Sequence, residues 1–440
     1  MPDVTTPIAA QTIKKVTKRI IPFIFLLYIV AFLDRANLGY AALDMNKALG
    51  LTSEVFGIVS GIFFLGYFLF EVPSNMLLYR TGARKWIARI LVSWGIVVII
   101  TAFSKNVAHL YILRFILGAA EAGFFPGLIL YMTYWFPAKE RARAIALFMT
   151  AIACSYIIGA PVSTLIMDHI HWLGMPGWRW LFILEGLPAV LLGIVTYFYL
   201  TDRPDHAKWL TQPEKDWLKL TLQQEQETKS KLKQHSTREV LKNPRVWYLS
   251  LIYFAFNIGA YGVGFWLPQI IKSLSKLLTN TEVGLLTAIP YVAGAIAMIF
   301  WSRRSDRLGE RRIHAAVPLL IGALGLMGSG MTTNPGIAIA MMAVAVAGMY
   351  SFYGPFWSLS TQYLTESAAA VGIAFINSVG NLSGFLGPYV IGIIKDATGN
   401  VKLALFFLSA ALVVCSVLLF AMRNKQTPQS LDNSSYANVK

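Results

Sequence analysis

The 440-residue chain has few charged residues and almost no cysteine. Asp, Glu, Lys and Arg make up 14% of it, whereas hydrophobic residues make up 56% and the mean hydropathy is +0.57. Soluble globular domains carry about 25% charged residues, so the composition predicts an integral membrane protein. The two cysteines, Cys154 and Cys415, lie far apart in apolar segments, which favours inert buried thiols over a disulfide or a metal site.

The residue patterns of enzymes and channels are absent as well. No Ser/His/Asp arrangement or metal-ligand cluster appears, and the six histidines fall in connections or at the ends of apolar segments. The chain also has no repeat that resembles the selectivity filter of a channel. The formal net charge of +16 comes from Lys and Arg gathered in connections, which argues against nucleic-acid binding. We therefore predict no enzyme activity, no metal and no nucleic-acid partner.

Long apolar segments are abundant. Each is near the ~20 residues that a helix needs to cross a bilayer, whereas barrel strands would be short and alternating. The first apolar run is too long for the core of a cleaved signal peptide. We predict an all-α membrane protein of twelve transmembrane helices in two pseudo-symmetric six-helix bundles, at residues 20–43, 55–78, 86–104, 108–136, 142–167, 178–200, 246–271, 282–301, 313–332, 335–363, 369–394 and 402–422.

Basic residues concentrate in the tails and in every second connection, such as 80–89 and 303–312. The positive-inside rule then predicts that both termini are cytoplasmic. The polar connection at 201–245 mixes both charge signs, and we interpret it as a tether, with a regulatory or partner-binding module as the alternative. The predicted units are an N-terminal tail at 1–19, a first bundle at 20–200, the cytoplasmic linker at 201–245, a second bundle at 246–422 and a C-terminal tail at 423–440 that includes Arg423 and Lys425.

The two halves repeat a loop motif. YRTGARK at 79–85 and DRLGERR at 306–312 place Arg, Gly and two cations at the same offsets, and the preceding helices begin alike. Duplicated six-helix units support rocking of two halves around a midplane site. Glycine permits a tight turn, and an acid beside cations can form ion pairs that break as the halves move. A gate is therefore predicted at Gly82, Arg84, Asp306, Arg307, Gly309 and Arg311, with a purely topological anchor as the alternative.

Four charged residues interrupt apolar segments of the first half. They are Asp34, Arg35, Arg114 and Glu121. Intramembrane charges are expensive and usually functional. Arg114 and Glu121 are about two helical turns apart and share a face. Arginine suits substrate carboxylates because its planar fork makes paired hydrogen bonds, and a nearby acid can change protonation when an anion occupies that arginine. A buried network that only packs helices is the alternative.

No Asp, Glu, Lys or Arg interrupts the predicted spans of the second half, so neutral groups must complete a site there. Asn377 and Asn381 are four residues apart and share one helix face. The polar candidates are Asn257, Tyr261, Tyr353, Trp357, Ser358, Ser360, Gln362, Asn377 and Asn381. Two further acids of the first half, Glu71 and Glu185, are expected near span ends, paired with loop cations.

Several segments make the chain resemble a known family. DRLGERR, the twelve spans and the long central connection look like the major facilitator superfamily. FLDRANLGYA (32–41), GYFLFEVPSN (66–75), LRFILGAAEAGFFPG (113–127) and AYGVGFWLPQII (260–271) resemble its anion:cation symporter family. This resemblance implies the two-bundle fold and proton-coupled uptake of organic anions such as sugar acids, dicarboxylates or aromatic acids.

The resemblance also implies residue roles. Asp34 and Glu121 match protonatable acids, and Arg35 and Arg114 match anion-binding positions. Tyr67 matches a pocket-lining tyrosine and Asn377 a substrate-contacting asparagine. One departure is Ile152, which stands where carriers of sugar acids place a glutamine. This departure weakens the case for a heavily hydroxylated substrate.

The sequence thus predicts a symporter that imports an organic carboxylate with protons by alternating access. It would need no cofactor besides protons and would work as a monomer in the bilayer of a bacterial inner membrane. A proton-independent facilitator or anion exchanger, and an anion receptor that does not transport, remain alternatives. Proton coupling is expected at Asp34 and Glu121, and substrate binding at Arg35, Arg114, Tyr67, Asn377, Asn381, Tyr261 and Trp357.

Overall fold

Long helices make up nearly all of the described chain. A computed structural model describes residues 7–231, 237–275, 277–363 and 366–422. The first half consists of α1 (Pro7–Leu49), α2 (Ser53–Thr81), α3 (Ala83–Thr101), α4 (Val107–Glu121), α5 (Phe124–Thr133), α6 (Ala138–Met149), α7 (Ala151–His169) and α8 (Gly177–Tyr199). The linker contributes α9 (Gln212–Lys231) and α10 (Thr237–Lys242). The second half consists of α11 (Pro244–Leu274), α12 (Asn280–Leu308), α13 (Arg312–Met331), α14 (Pro335–Tyr363), α15 (Glu366–Thr398) and α16 (Lys402–Ala421).

The helices of the two halves form the twelve predicted crossings. Helices α4 and α5 together make one crossing, and α6 and α7 together make another. Ten stretches of the described chain are long and apolar enough to span a membrane. The other two crossings are α3, which begins among Arg84, Lys85 and Arg89, and α15, which carries Asn377 and Asn381. The chain is a multi-pass membrane protein, as predicted.

The first helix is longer than predicted. It begins at Pro7 rather than near residue 20, because Ala9, Thr12 and Val16 are fully buried and extend the packed face of the helix. The stretch assigned to an N-terminal tail is therefore helical from Pro7 onward. Residues 1–6, residues 232–236 of the linker and the predicted C-terminal tail at 423–440 lie outside the described residues.

The fourth crossing is broken between α4 and α5. Gly123 has a φ of +85°, which glycine adopts without a steric penalty. The Ser74 hydroxyl of α2 donates a hydrogen bond to the Ala122 carbonyl at 2.6 Å. In a membrane, backbone groups freed by such a break need a partner of this kind. The break makes Glu121 the last residue of α4.

The two halves are joined at the end of the molecule where α2 and α12 begin, which we call the capped end. The Asp396 carboxylate of α15 accepts hydrogen bonds from the backbone N–H groups of Ser53 and Glu54, at 3.0 and 2.7 Å. The Asp168 carboxylate of α7 accepts in the same way from the Thr281 N–H at 2.6 Å. Each half thus supplies an acid that caps a helix of the other half.

Glycines allow the halves to approach closely near the capped end. A Cβ atom added at Gly57 of α2 would lie 2.6 Å from the Pro388 carbonyl oxygen of α15, and one added at Gly61 would lie 2.7 Å from the Phe385 Cα. Small residues at helix interfaces permit this approach.

The linker helix α9 packs on the first half. Lys15 of α1 pairs with Glu214 at 2.7 Å, and Arg141 of α6 pairs with Glu225 at 2.7 Å. The rings of Trp135 and Trp209 stack with centroids 5.2 Å apart. The part of the linker up to α9 is therefore attached to the first half, whereas α10 contacts α11 and α15 of the second half.

Candidate functional site

A cavity lies between the two halves. It contains about 850 Å³ of space, including the part that opens to solvent. The first half lines it with Tyr28, Phe32, Arg35, Tyr67, Phe125, Met149, Ile152 and Tyr156. The second half lines it with Tyr253, Phe256, Asn257, Ala260, Tyr261, Val263, Tyr291, Val346, Met349, Tyr350, Tyr353, Trp357, Asn377 and Asn381. Such a largely apolar cavity with a few convergent polar groups is typical of a small-molecule site.

Arg35 is the only charged side chain among the described residues that line the cavity. Its Nε donates a hydrogen bond to Glu121 Oε1 at 2.7 Å, and a second guanidinium nitrogen pairs with the same carboxylate. The side chain of Arg35 is 12% exposed, whereas that of Glu121 is 2% exposed. Glu121 therefore lies behind Arg35, which presents the cation to the cavity.

Arg114 lies outside the cavity lining. Its Nε donates to the Val59 carbonyl at 3.3 Å, and one of its terminal nitrogens is buried without a partner among the described residues. The guanidinium groups of Arg114 and Arg35 both contact the Phe63 ring, at 5.1 and 5.4 Å from its centroid. The two predicted anion-binding arginines are neighbours, but only Arg35 faces the cavity directly.

Asp34 is buried away from the cavity. Its carboxylate accepts a hydrogen bond from Trp94 Nε1 of α3 at 2.7 Å and a longer one from the Asn37 amide at 3.5 Å. The described residues include no arginine hydrogen-bonded to Asp34. The two predicted proton-coupling acids thus have different environments, since Glu121 is ion-paired and Asp34 is bonded to neutral donors.

The remaining residues predicted to bind substrate all line the cavity. Tyr67 comes from α2, and Tyr261, Trp357, Asn377 and Asn381 come from the second half. The Tyr261 hydroxyl donates to Asn381 Oδ1 at 2.8 Å. That bond orients the Asn381 amide, so the neutral groups of the second half face Arg35 across the cavity.

A group of tyrosines around the cavity was missed in the sequence. The rings of Tyr156 on α7 and Tyr291 on α12 stack with centroids 4.4 Å apart and so connect the two halves. Tyr28 and Tyr350 also line the cavity. A single tyrosine in an apolar helix looks the same in the sequence whether it lines a binding site or only packs against a neighbouring helix.

The prediction for Glu71 and Glu185 was wrong. Both are buried within helices, at 4% and 5% exposure, and the described residues include no cation paired with either one. Glu71 accepts a hydrogen bond from Ser378 of α15, and Glu185 accepts one from Ser163 of α7 at 2.6 Å. Their positions inside apolar runs were the signal that could have identified them as intramembrane acids.

The predicted gate residues lie where α2 meets α3 and where α12 meets α13, which we call the basic end. Gly82 and Gly309 both have positive φ, at +92° and +67°.

The second copy of the motif is paired within its own half, and the first copy is paired with Asp202, which follows α8 at the start of the linker. In the second copy, Arg311 pairs with Asp306 at 2.5 Å, and Arg307 is exposed. In the first copy, Tyr79 stands where the second copy has Asp306, and Asp202 supplies the acid instead. The Asp202 carboxylate accepts a hydrogen bond from the Arg84 backbone N–H at 2.8 Å. The gating role of these residues stays a prediction.

Comparisons with known proteins agree with this architecture. A profile described as Major Facilitator Superfamily matches residues 24–388. A protein of Agrobacterium vitis named "Putative tartrate transporter" is 46% identical over 429 residues, which are 98% of this chain and 95% of that protein. A "Quinolone resistance transporter" of Acinetobacter baumannii is 38% identical over 425 residues, 96% of this chain and 98% of that protein.

A solved structure shares the fold. A bacterial homologue of the human lysosomal transporter Spinster, in an inward-facing and occupied conformation, matches with a TM-score of 0.75 and 18% identity, covering 91% of this chain and 95% of that chain. At this identity the likeness concerns the fold alone.

Proposed function

Because the chain belongs to the major facilitator superfamily of membrane transporters, we propose that it imports an organic carboxylate together with protons by alternating access. The observation that carries this proposal is the position of Arg35, a single cation facing a cavity otherwise lined by neutral side chains. A guanidinium in such a site forms paired, charge-assisted hydrogen bonds with a carboxylate.

Competition for Arg35 would couple the substrate to protons. Glu121 holds Arg35 in an ion pair behind the cavity wall. A substrate carboxylate that binds Arg35 weakens this pair, and the Glu121 carboxylate, now short of its counter-charge in a buried site, takes up a proton. Release of the proton from Glu121 on the cytoplasmic side would restore the ion pair between Glu121 and Arg35 and displace the substrate.

The substrate class rests on the cavity and on the relatives. Asn377, Asn381 and Tyr261 offer neutral hydrogen-bonding groups opposite Arg35, which suits a small acid that carries further oxygens. The Agrobacterium vitis relative is named for tartrate, a dicarboxylate with two hydroxyl groups. We therefore propose a small dicarboxylate as the first substrate to test.

The interhalf contacts support an inward-facing state. With the basic end in the cytoplasm, as the positive-inside rule requires, the capped end faces outward and is closed by Asp168 and Asp396. The membrane would then be the bacterial inner membrane, and a monomer contains both halves of the site.

Uptake of radiolabelled tartrate into proteoliposomes with an imposed inward proton gradient tests the proposal. Replacing Arg35 by Gln removes a charge-assisted contact worth about 1.5–3 kcal/mol, so we expect affinity to fall about 10- to 150-fold. Glu121→Gln should abolish accumulation against the gradient but retain counterflow, because the neutral amide cannot release a proton.

Two outcomes would contradict the proposal. Equal uptake of a neutral sugar, unaffected by Arg35→Gln, would exclude the anion site. Full accumulation by Glu121→Gln would exclude Glu121 as a proton carrier and favour a facilitator or exchanger. A quinolone is included as a competitor because one relative is named for quinolone resistance.

A further inference from the structure

The buried charges of the first half do not balance. Four carboxyl groups are buried within its helices, those of Asp34, Glu71, Glu121 and Glu185. Among the described residues, two guanidinium groups, those of Arg35 and Arg114, lie beside these acids in the interior. An ionised carboxylate without a counter-charge in a low-dielectric site costs several kcal/mol, so such groups bind protons instead. Since Arg35 is used by Glu121, at most one of the other three acids has an arginine available.

Asp34 and Glu185 form a pair next to one another, which we call the Asp34–Glu185 pair. The Asn37 amide donates to Asp34 Oδ1 at 3.5 Å and lies against the Glu185 carboxyl. Ser163 donates to Glu185 Oε1 at 2.6 Å, whereas Glu185 Oε2 and Asn37 Oδ1 are both buried acceptors without a donor among the described residues. A proton on Glu185 would supply the donor that this cluster lacks.

Among the described residues, Arg114 is the one cation that acts on the pair. The charged or titratable groups that act on the pair from the packed helices are Arg114 and Glu121 of α4, and Tyr40 of α1. The neighbouring helices α3 and α7 contribute Trp94 and Ser163, which do not titrate. Asp34 accepts from two donors, Trp94 and Asn37, and has Arg114 among the charges around it. Glu185 accepts from Ser163 at one oxygen and has no donor among the described residues at the other, so the geometry points to Glu185 as the acid that holds the proton.

We propose that Glu185 is a further proton-coupling residue, which shares one proton with Asp34 at a site behind the substrate cavity. Two neighbouring carboxyls that interact through a shared amide, here that of Asn37, titrate as a pair. When a substrate carboxylate binds Arg35 and Glu121 is neutralised, the charges that act on Asp34 change, and the pair exchanges a proton with the solution. This role rests on the proposed proton symport, whereas the proton on Glu185 can be tested without transport.

Infrared difference spectroscopy of the full chain in lipid nanodiscs tests the protonation directly. At neutral pH, the spectrum of the native protein minus that of Glu185→Gln should contain the C=O stretch of a protonated carboxyl, which shifts in D₂O. Carboxylate stretches in its place would show an ionised Glu185 and overturn the proposal. Glutamine keeps an oxygen that accepts from Ser163, so the variant retains that contact, and thermal unfolding confirms its fold.

A second comparison tests the sharing. In an Asp34→Asn background, the neighbouring negative charge that favours a proton on Glu185 is removed, so Glu185 should release its proton more readily. The difference spectrum of Asp34→Asn against Asp34→Asn/Glu185→Gln should then contain carboxylate stretches. A protonated-carboxyl band in this background would overturn the sharing of one proton.

Transport assays separate this proposal from the proposed function. If uptake does not depend on the proton gradient while the native difference spectrum contains the protonated band, symport is wrong and the protonated Glu185 stands. If uptake is proton-coupled, Glu185→Gln should lower the number of protons taken up per carboxylate and flatten the pH profile of uptake. An unchanged pH profile and proton count would overturn the coupling role of Glu185.

Discussion

Arg35 and Arg114 show how one residue type takes two roles around a single aromatic ring. Both guanidinium groups contact the Phe63 ring, yet only Arg35 lines the cavity. Arg114 is 1% exposed and bonded to a backbone carbonyl. A direct contact with substrate is therefore expected for Arg35, and an electrostatic effect through the neighbouring acids is expected for Arg114.

Specificity at the residue scale is expected to depend on Ile152. It lines the cavity on the α7 side, where a polar side chain would face the substrate. Replacing Ile152 by Gln adds a group that can hydrogen-bond a hydroxyl, which contributes about 0.5–1.5 kcal/mol, or about 2- to 10-fold in affinity. The ratio of succinate to tartrate dissociation constants should rise by that factor, measured by competition against labelled tartrate.

The matched control for this variant is Ile152→Leu, which keeps the position apolar. It should leave the ratio unchanged, since succinate and tartrate differ only in two hydroxyl groups. An equal change in both variants would mean that the shape of the cavity, rather than hydrogen bonding, decides specificity at this position.

At the scale of helices, two reciprocal caps hold the halves together. Asp396 caps α2 and Asp168 caps α12, and each acid comes from the half opposite to the helix it caps. Ser53 and Thr281, which donate to them, are matching positions of the two halves. The duplication of the six-helix unit therefore appears as a duplicated contact at the capped end.

Removing these caps should loosen the capped end. A helix-capping acid contributes about 0.5–2 kcal/mol, so Asp396→Ala should shift the ratio of closed to open capped ends about 2- to 30-fold. Asp168→Ala should act alike, and the double variant more strongly. Spin labels at Leu173 and Leu277, exposed by 88% and 92% near this end, would report the opening by pulsed electron paramagnetic resonance as a longer distance.

Asp216 provides the control for this measurement, because it lies exposed on α9 and bonds Gln212 within the same helix. Asp216→Ala should leave the distances unchanged. If the distance between the two spin labels in the Asp168/Asp396 double variant equals that in the native protein, the prediction is wrong. Close packing at glycines such as Gly57 and Gly61 would then be enough to hold the capped end closed.

At the scale of the whole molecule, alternating access requires that the halves separate at one end while they close at the other. The capped end is closed in this structure by contacts of α2 with α15 and of α7 with α12. At the basic end, the first loop motif pairs with Asp202, which follows α8, and the second pairs within its own half. We propose that such pairs hold each half as a unit during the rocking that alternating access requires.

The orientation of the molecule can be tested by labelling. In a background with Ala at positions 154 and 415, Leu173→Cys at the capped end should react with a membrane-impermeant maleimide in intact cells. Leu308→Cys at the basic end, which replaces a residue that is 58% exposed, should react only after the membrane is permeabilised. The reverse pattern would contradict the predicted cytoplasmic termini.

Some features followed from the sequence because each depends on local chemistry. Apolar runs of spanning length predicted the twelve crossings, since a bilayer forces backbone groups to pair within a helix. Motif offsets revealed the duplicated halves, and the high cost of intramembrane charge singled out Asp34, Arg35, Arg114 and Glu121.

Only the tertiary structure decided how these charges are distributed. Helical spacing gives the face on which a side chain lies but not the neighbour that it meets, so the pairing of Arg35 with Glu121, and of Asp34 with Trp94, required the packed helices. The same holds for Glu185, which was expected near a span end. Its neighbours are set by contacts between α1, α7 and α8. These helices are remote in sequence and adjacent only in the fold.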